Sequence, residues 1–271
     1  MDPTPLNEIL AATGRYETAP RPGSRPRSDL WFYAKLAGVI LRGSRIARSG
    51  GYTPDVWRGQ SVEILRMAEA AGGRVSISGM ELTARHPGPK VFAANHMSML
   101  ETLLMPGLVL SLGGAAFVIK QDLVKYPFFG HIMRATNSVS VTRENPREDF
   151  KTVLTEGTRA IESGRSMVIF PQRTRSRVFE AAAFNTLAIK LARRAGVPIV
   201  PVALKTDFMG VGRFVRDFGR LDRRQPVRFR FGEPLAVGGR ERETHEQVVR
   251  FIAATLREWG CAVVDRPEGE G

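Results

Sequence analysis

A single cysteine, Cys261, among 271 residues excludes an internal disulfide and fits a reducing compartment. The four histidines and that cysteine fall at no spacing that would hold zinc, so no metal site is expected. The chain has no G-x-S-x-G elbow for a serine hydrolase and no G-x-x-x-x-G-K-[ST] phosphate loop. Its nearest approach to a dinucleotide fingerprint, Gly210-Val211-Gly212, lacks the third glycine. Residues 1–30 are rich in Pro and Arg and carry no apolar run with a small-residue cleavage site, which argues against a secretory signal. Long apolar runs are scarce too. Residues 102–119 carry no charge, but Pro106, Gly107, Gly113 and Gly114 interrupt them, so a buried helix near 98–111, a turn and a strand near 115–119 are expected instead of a membrane span.

Acidic residues are also in short supply. Lys and Arg number 40 against 27 Asp and Glu, a formal charge of +13 that predicts attraction to polyanions, whether nucleic acid, anionic lipid or phosphorylated substrates. Few aromatics alternate with the cations and no reading helix is recognisable, so nucleic acid is not expected as a partner. The basic residues gather early: 1–29 reads as a flexible basic arm. Residues 30–46 set Trp31, Phe32, Leu36, Val39 and Ile40 among Lys35, Arg42 and Arg45, a pattern that suits either an interfacial helix on an anionic membrane or a helix packed on its own domain.

The length favours one large α/β domain over two. A helix is predicted over 54–71, stopped by Gly72-Gly73, and strands over 75–78 and 90–94. Asn145-Pro146-Arg147-Glu148 opens a helix that runs to Gly164. Another ends at Gly196; strands follow at 199–204 and 227–231, and a terminal helix at 244–259. The fold class is α/β: a mixed, largely parallel sheet covered by helices on both faces, with an N-terminal helical membrane-associating segment. The divisions are 1–29 (arm), 30–73 (helical segment), 74–262 (main domain) and 263–271 (tail).

Chemistry concentrates in two stretches that each follow an apolar run. In the first, Asn95-His96-Met97-Ser98-Met99-Leu100-Glu101, an imidazole able to take a proton near neutral pH precedes a carboxylate able to fix its tautomer. Ser98 to Glu101 also spells a capping box, so Glu101 can equally serve helix N-terminal amides. A helix starting there would present amides able to stabilise an oxyanion near His96. The second stretch is Phe170-Pro171-Gln172-Arg173-Thr174-Arg175-Ser176.

Together the stretches resemble the glycerolipid acyltransferase family, the lysophosphatidic acid acyltransferase-like enzymes, whose first block reads N-H-x-S-x-x-D and whose third reads F-P-E-G-T-R-S. Lys120-Gln121-Asp122-Leu123, Pro127-Phe128-Phe129-Gly130 and Val139-Ser140-Val141-Thr142-Arg143 resemble the second block, and Val197-Pro198-Ile199-Val200-Pro201-Val202-Ala203 the fourth. The resemblance covers about residues 75–235. Two departures stand out: Glu101 replaces the usual Asp, and Gln172-Arg173 replaces Glu-Gly.

The resemblance implies an acyltransferase of phospholipid biosynthesis, peripheral on the cytoplasmic face of a membrane. His96 would be the base and Glu101 its orienting partner. Arg143, Gln172, Arg173, Thr174, Arg175 and Lys120 would bind the phosphate-bearing acceptor, a lysophospholipid. The co-substrate would be acyl-CoA or acyl carrier protein, with no other cofactor. Leu123, Phe128 and Phe129 read as core or as acyl-contact surface. The altered third block leaves a second reading, a non-catalytic lipid-binding protein on the same fold.

Overall fold

The strands follow the apolar runs closely. In the computed structural model, which describes residues 10, 13–19, 25–172, 174–212 and 218–265, they are β1 (Tyr16–Glu17), β2 (Val75–Ser78), β3 (Val91–Ala94), β4 (Gly114–Lys120), β5 (Val139–Val141), β6 (Arg165–Ile169), β8 (Ile199–Lys205) and β9 (Val227–Phe231). These eight form one sheet in the order β1-β2-β9-β8-β3-β6-β4-β5. From β8 to β5 every neighbour is parallel, while β9 runs antiparallel to β8 and β1 antiparallel to β2. Strand β7 (Phe179–Glu180) and strand β10 (Val263–Val264) pair separately, in parallel.

Strand β3 lies near the middle of the sheet and is buried on both sides, as an uninterrupted apolar run requires. Its Phe92 and Ala94 pack with α1 (Asp29–Arg48), α2 (Pro54–Ala70) and α4 (Leu100–Val109). Val91 and Ala93 face α6 (Pro146–Glu162), α7 (Leu187–Ala195) and α8 (Glu241–Glu258) on the other side. Two short helices, α3 (Met80–Ala84) and α5 (Phe129–Ala135), complete the set among the described residues. The capping signals act as expected: Asn145 accepts from the amides of Arg147 and Glu148, and Gly196 ends α7 in the left-handed region. The uncharged stretch forms α4 and β4, and no helix among the described residues is long and apolar enough to cross a membrane.

Three expectations about the ends need correction. Of the two readings of the 30–46 stripe, the structure supports packing on the domain and not the membrane-associating segment, since α1 buries Phe32, Leu36 and Val39 in the core. Helical periodicity registers an apolar face without registering what covers it. Residues 30–73 therefore share one core with the sheet and are not a separate segment. The arm is partly docked: Tyr16 is buried, pairs with Ile77 of β2, and donates its hydroxyl to Glu69 Oε1 at 2.5 Å. The tail, finally, begins as β10.

Candidate active site

The carboxyl ends of β3, β4, β5, β6 and β8 form one edge of the sheet, because these five strands are parallel. Ligands of open α/β sheets bind at that edge. Here Asn95 ties two strand ends together. Its Nδ2 donates to the Leu204 carbonyl at 2.8 Å, and its Oδ1 accepts from the Leu204 amide at 2.9 Å. His96 is thereby fixed just past β3, and α4 begins four residues later, placing Glu101 in its first turn.

Glu101 is fully buried and both its oxygens are used. Oε1 accepts from His96 Nδ1 at 2.8 Å, from the Met97 amide at 2.6 Å and from the Ser98 amide at 2.8 Å. Oε2 accepts from the Thr206 hydroxyl at 2.5 Å and lies 2.9 Å from Ser98 Oγ. Capping and orienting are therefore one job. The carboxylate satisfies the Ser98 amide as a capping box demands, and the same oxygen holds the imidazole. Burial pushes the Glu101 pKa up, but the hydrogen bonds and charge of His96, together with Thr206, outweigh this and hold it below its ordinary value. An ionised Glu101 accepts from Nδ1–H and leaves Nε2 as the basic nitrogen of His96.

The loop after β6 grips His96 from the other side. Gln172 Oε1 accepts the His96 amide at 2.8 Å, and the Ser176 amide donates to the His96 carbonyl at 2.9 Å. The Phe170 ring stacks on the imidazole, centroids 4.5 Å apart and planes 22° from parallel. Gln172, expected to contact the acceptor, is buried and spends its carbonyl oxygen on the His96 amide. Four of the amides expected as oxyanion donors are also committed elsewhere. The amides of Met97 and Ser98 go to Glu101, that of Leu100 to Ser98 Oγ, and that of His96 to Gln172.

The remaining expected ligands share the edge. Lys120 ends β4 and is ion-paired with Asp122. Arg143 is exposed two residues beyond β5, with φ of 65°, and its amide donates to Asp149 Oδ2 at 2.7 Å. Thr174 is exposed and Arg175 half-buried on the loop after β6. Arg173 lies outside the described residues. Leu123 and Phe129 pack beside Ile132 and Met133, whereas Phe128 is exposed. Thr206 escaped the sequence analysis. Its hydroxyl reaches Glu101 across 105 positions of chain, a contact that exists only because β8 lies beside β3.

Residues 74–205 match the family model described as Acyltransferase. The chain is similar to the 1-acyl-sn-glycerol-3-phosphate acyltransferase of Pseudomonas aeruginosa, 29% identical over 133 residues that make up 49% of this chain and 50% of that one. It is similar also to the enzyme of that name from Cocos nucifera, 24% identical over 183 residues, 68% of this chain and 56% of that one. The chain thus spans about half the length of the curated relatives it matches. Its fold resembles the crystal structure of the 1-acyl-sn-glycerophosphate (LPA) acyltransferase PlsC from Thermotoga maritima, with a TM-score of 0.63 at 22% identity, covering 86% of this chain and 94% of that one. From β2 through β8, with the His96–Glu101 pair in its midst, the chain is similar to the acyltransferase family.

Proposed function

We propose that this protein transfers a fatty acyl group from a thioester donor, acyl-CoA or acyl carrier protein, to a hydroxyl of a lysophospholipid such as 1-acylglycerol-3-phosphate. The observation that carries this reading is the buried Glu101 carboxylate on His96 Nδ1 at 2.8 Å. It fixes the tautomer in which Nε2 removes the acceptor's hydroxyl proton. The oxygen then attacks the thioester carbonyl carbon; a C–O bond forms, the C–S bond breaks through a tetrahedral intermediate, and the proton taken by His96 passes to the departing sulfur. Glu101 stabilises the imidazolium formed between the two proton transfers. Arg143 and Arg175 are the phosphate ligands in this scheme, since a guanidinium matches phosphate bidentately. The acceptor lives in a bilayer, so the protein works peripherally on an anionic membrane surface.

The Gln172 replacement that raised a non-catalytic reading is accounted for by its bond to the His96 amide, which supports catalysis over passive lipid binding. The test crosses acyl-CoA and acyl carrier protein donors with lysophospholipid acceptors in detergent, followed by product mass. A donor-dependent diacyl product that disappears in His96→Ala is expected. Absence of product from every pair, with the wild-type chain folded, would refute acyl transfer.

A further inference from the structure

Exposed apolar side chains are unevenly distributed over this molecule. Among the described residues, seven large hydrophobic side chains stand in solvent, and five of them fall on two tips. The first tip lies between β4 and α5, where Tyr126 (56% exposed) and Phe128 (54% exposed) flank Pro127. Phe128 holds φ of 62°, a backbone region unfavourable for a bulky residue. The second tip is the β8–β9 connection, with Val211 and Phe218, joined by Leu30 at the start of α1. Tyr33 meets Phe218 edge-on at 5.7 Å, and Asp29 accepts from the Leu221 amide at 3.0 Å and from Arg223 at 2.7 Å, which fixes α1 to that connection.

Both tips leave the carboxyl edge. In the order β8-β3-β6-β4, the strands between them are β3 and β6, which carry His96 and the Gln172–Arg175 loop. At about 4.8 Å per strand, the two connections start about 15 Å apart, one on each side of the candidate active site. Cations accompany the tips: Lys125, with a side chain 76% exposed, and the exposed Arg143, Arg177 and Arg220. Four carboxylates near the tips are ion-paired, Asp122 with Lys120 and Lys125, Asp207 with Lys205, Asp222 with Arg224 and Asp29 with Arg223. Apolar tips rising among exposed cations suit an anionic bilayer, where aromatic rings settle at headgroup depth and cations meet lipid phosphate.

We propose that these two tips, and not the apolar face of α1, dock the carboxyl edge of the sheet on an anionic lipid bilayer. Docked this way, His96 faces the layer from which a lipid acceptor arrives, a consequence that rests on the acyl-transfer reading above. The physical docking does not depend on it.

The test is sedimentation of the full chain with phosphatidylcholine vesicles, with and without about a third of phosphatidylglycerol. Tyr126→Ser/Phe128→Ser and Leu30→Ser/Phe218→Ser should each lose about ten- to hundredfold in affinity for the anionic vesicles, the effect of withdrawing two apolar side chains from an interface. The control Leu41→Ser/Val264→Ser removes the two exposed hydrophobics that lie off the tips and should change affinity by less than about twofold. The Leu30→Ser/Phe218→Ser variant should transfer acyl groups to detergent-dispersed acceptor as the wild type does, and His96→Ala should bind vesicles normally. Wild-type sedimentation of both tip variants, or an equal loss in the control, would overturn the proposal. So would a DNA duplex that binds as tightly as the anionic vesicles. Normal tip-dependent vesicle binding with no acyl transfer in detergent would support docking and sink the catalytic reading alone.

Discussion

His96 and Glu101 sit among hydrogen bonds that are fully used, whereas Arg143 and Thr174, on neighbouring loops of the same edge, are exposed and Arg175 is half-buried. The contrast is what the proposed roles of the two parts would require. A base works in one tautomer and one orientation, so its supports are strand ends and a buried carboxylate in low dielectric. A phosphate grip must stay hydrated until the headgroup arrives, because a charge buried beforehand carries a desolvation cost. Substitutions in the buried part should therefore act on turnover and stability together, and those on the rim on acceptor affinity alone.

The largest effect is expected at the base. His96→Ala should lower turnover by about 10²–10⁴-fold while circular dichroism stays that of the wild type. Retention of more than half the activity in a folded variant would end the claim that this imidazole moves the proton.

Glu101→Gln comes next. It keeps an acceptor for the Met97 and Ser98 amides but cannot stabilise an imidazolium, so turnover should fall on the order of 10²-fold. Stability should fall by about 1–3 kcal/mol as charged hydrogen bonds are lost. The pH dependence has a definite sign. Because folding lowers the Glu101 pKa, its contribution is fully present above the unfolded carboxylate pKa and is lost as pH falls through the lower folded value. The gap in melting temperature between wild type and Glu101→Gln should thus be constant near neutrality and narrow in acid. A gap that widens in acid would contradict an ionised Glu101.

Thr206→Val probes the buried part from its far side. Removing the hydroxyl leaves Oε2 short of a donor, for a loss of about 1.5–3 kcal/mol and about a tenfold drop in turnover. Combined with Ser98→Ala, the effects should be non-additive in a double-mutant cycle, since both hydroxyls serve Oε2. Strict additivity would mean that the two act separately. The smallest effect on turnover is expected on the rim. Arg143→Ala and Arg175→Ala should each raise KM for a phosphate-bearing acceptor about tenfold, with kcat within about threefold and melting temperature unchanged. A fall in kcat at constant KM would move these arginines out of the binding role.

Local signals carried most of the fold. The apolar runs of β3, β6 and β8, the Asn145-Pro146 cap and the Gly196 stop all depend on neighbours a few residues apart, and each is readable along the chain. The pairing of His96 with Glu101 was legible for the same reason, being five residues long. Features that depend on which strands adjoin were hidden. Thr206 meets Glu101 only through the β3–β8 pairing, and Gln172 meets the His96 amide only through the β3–β6 pairing. The face of α1 stayed ambiguous in the sequence because an apolar stripe looks alike whether lipid or protein covers it.

The Thr206 bond also bears on how this sequence can change over generations. With the usual family residue, Asp, at position 101, the carboxylate would be one methylene shorter, and the Thr206 hydroxyl, wholly buried, would be left reaching toward an acceptor that had receded. Positions 101 and 206 are therefore not free to drift separately. A lineage that exchanged Glu for Asp would come under pressure to replace the hydroxyl on the far strand as well, even though that residue lies one position beyond the stretch that matches the family model.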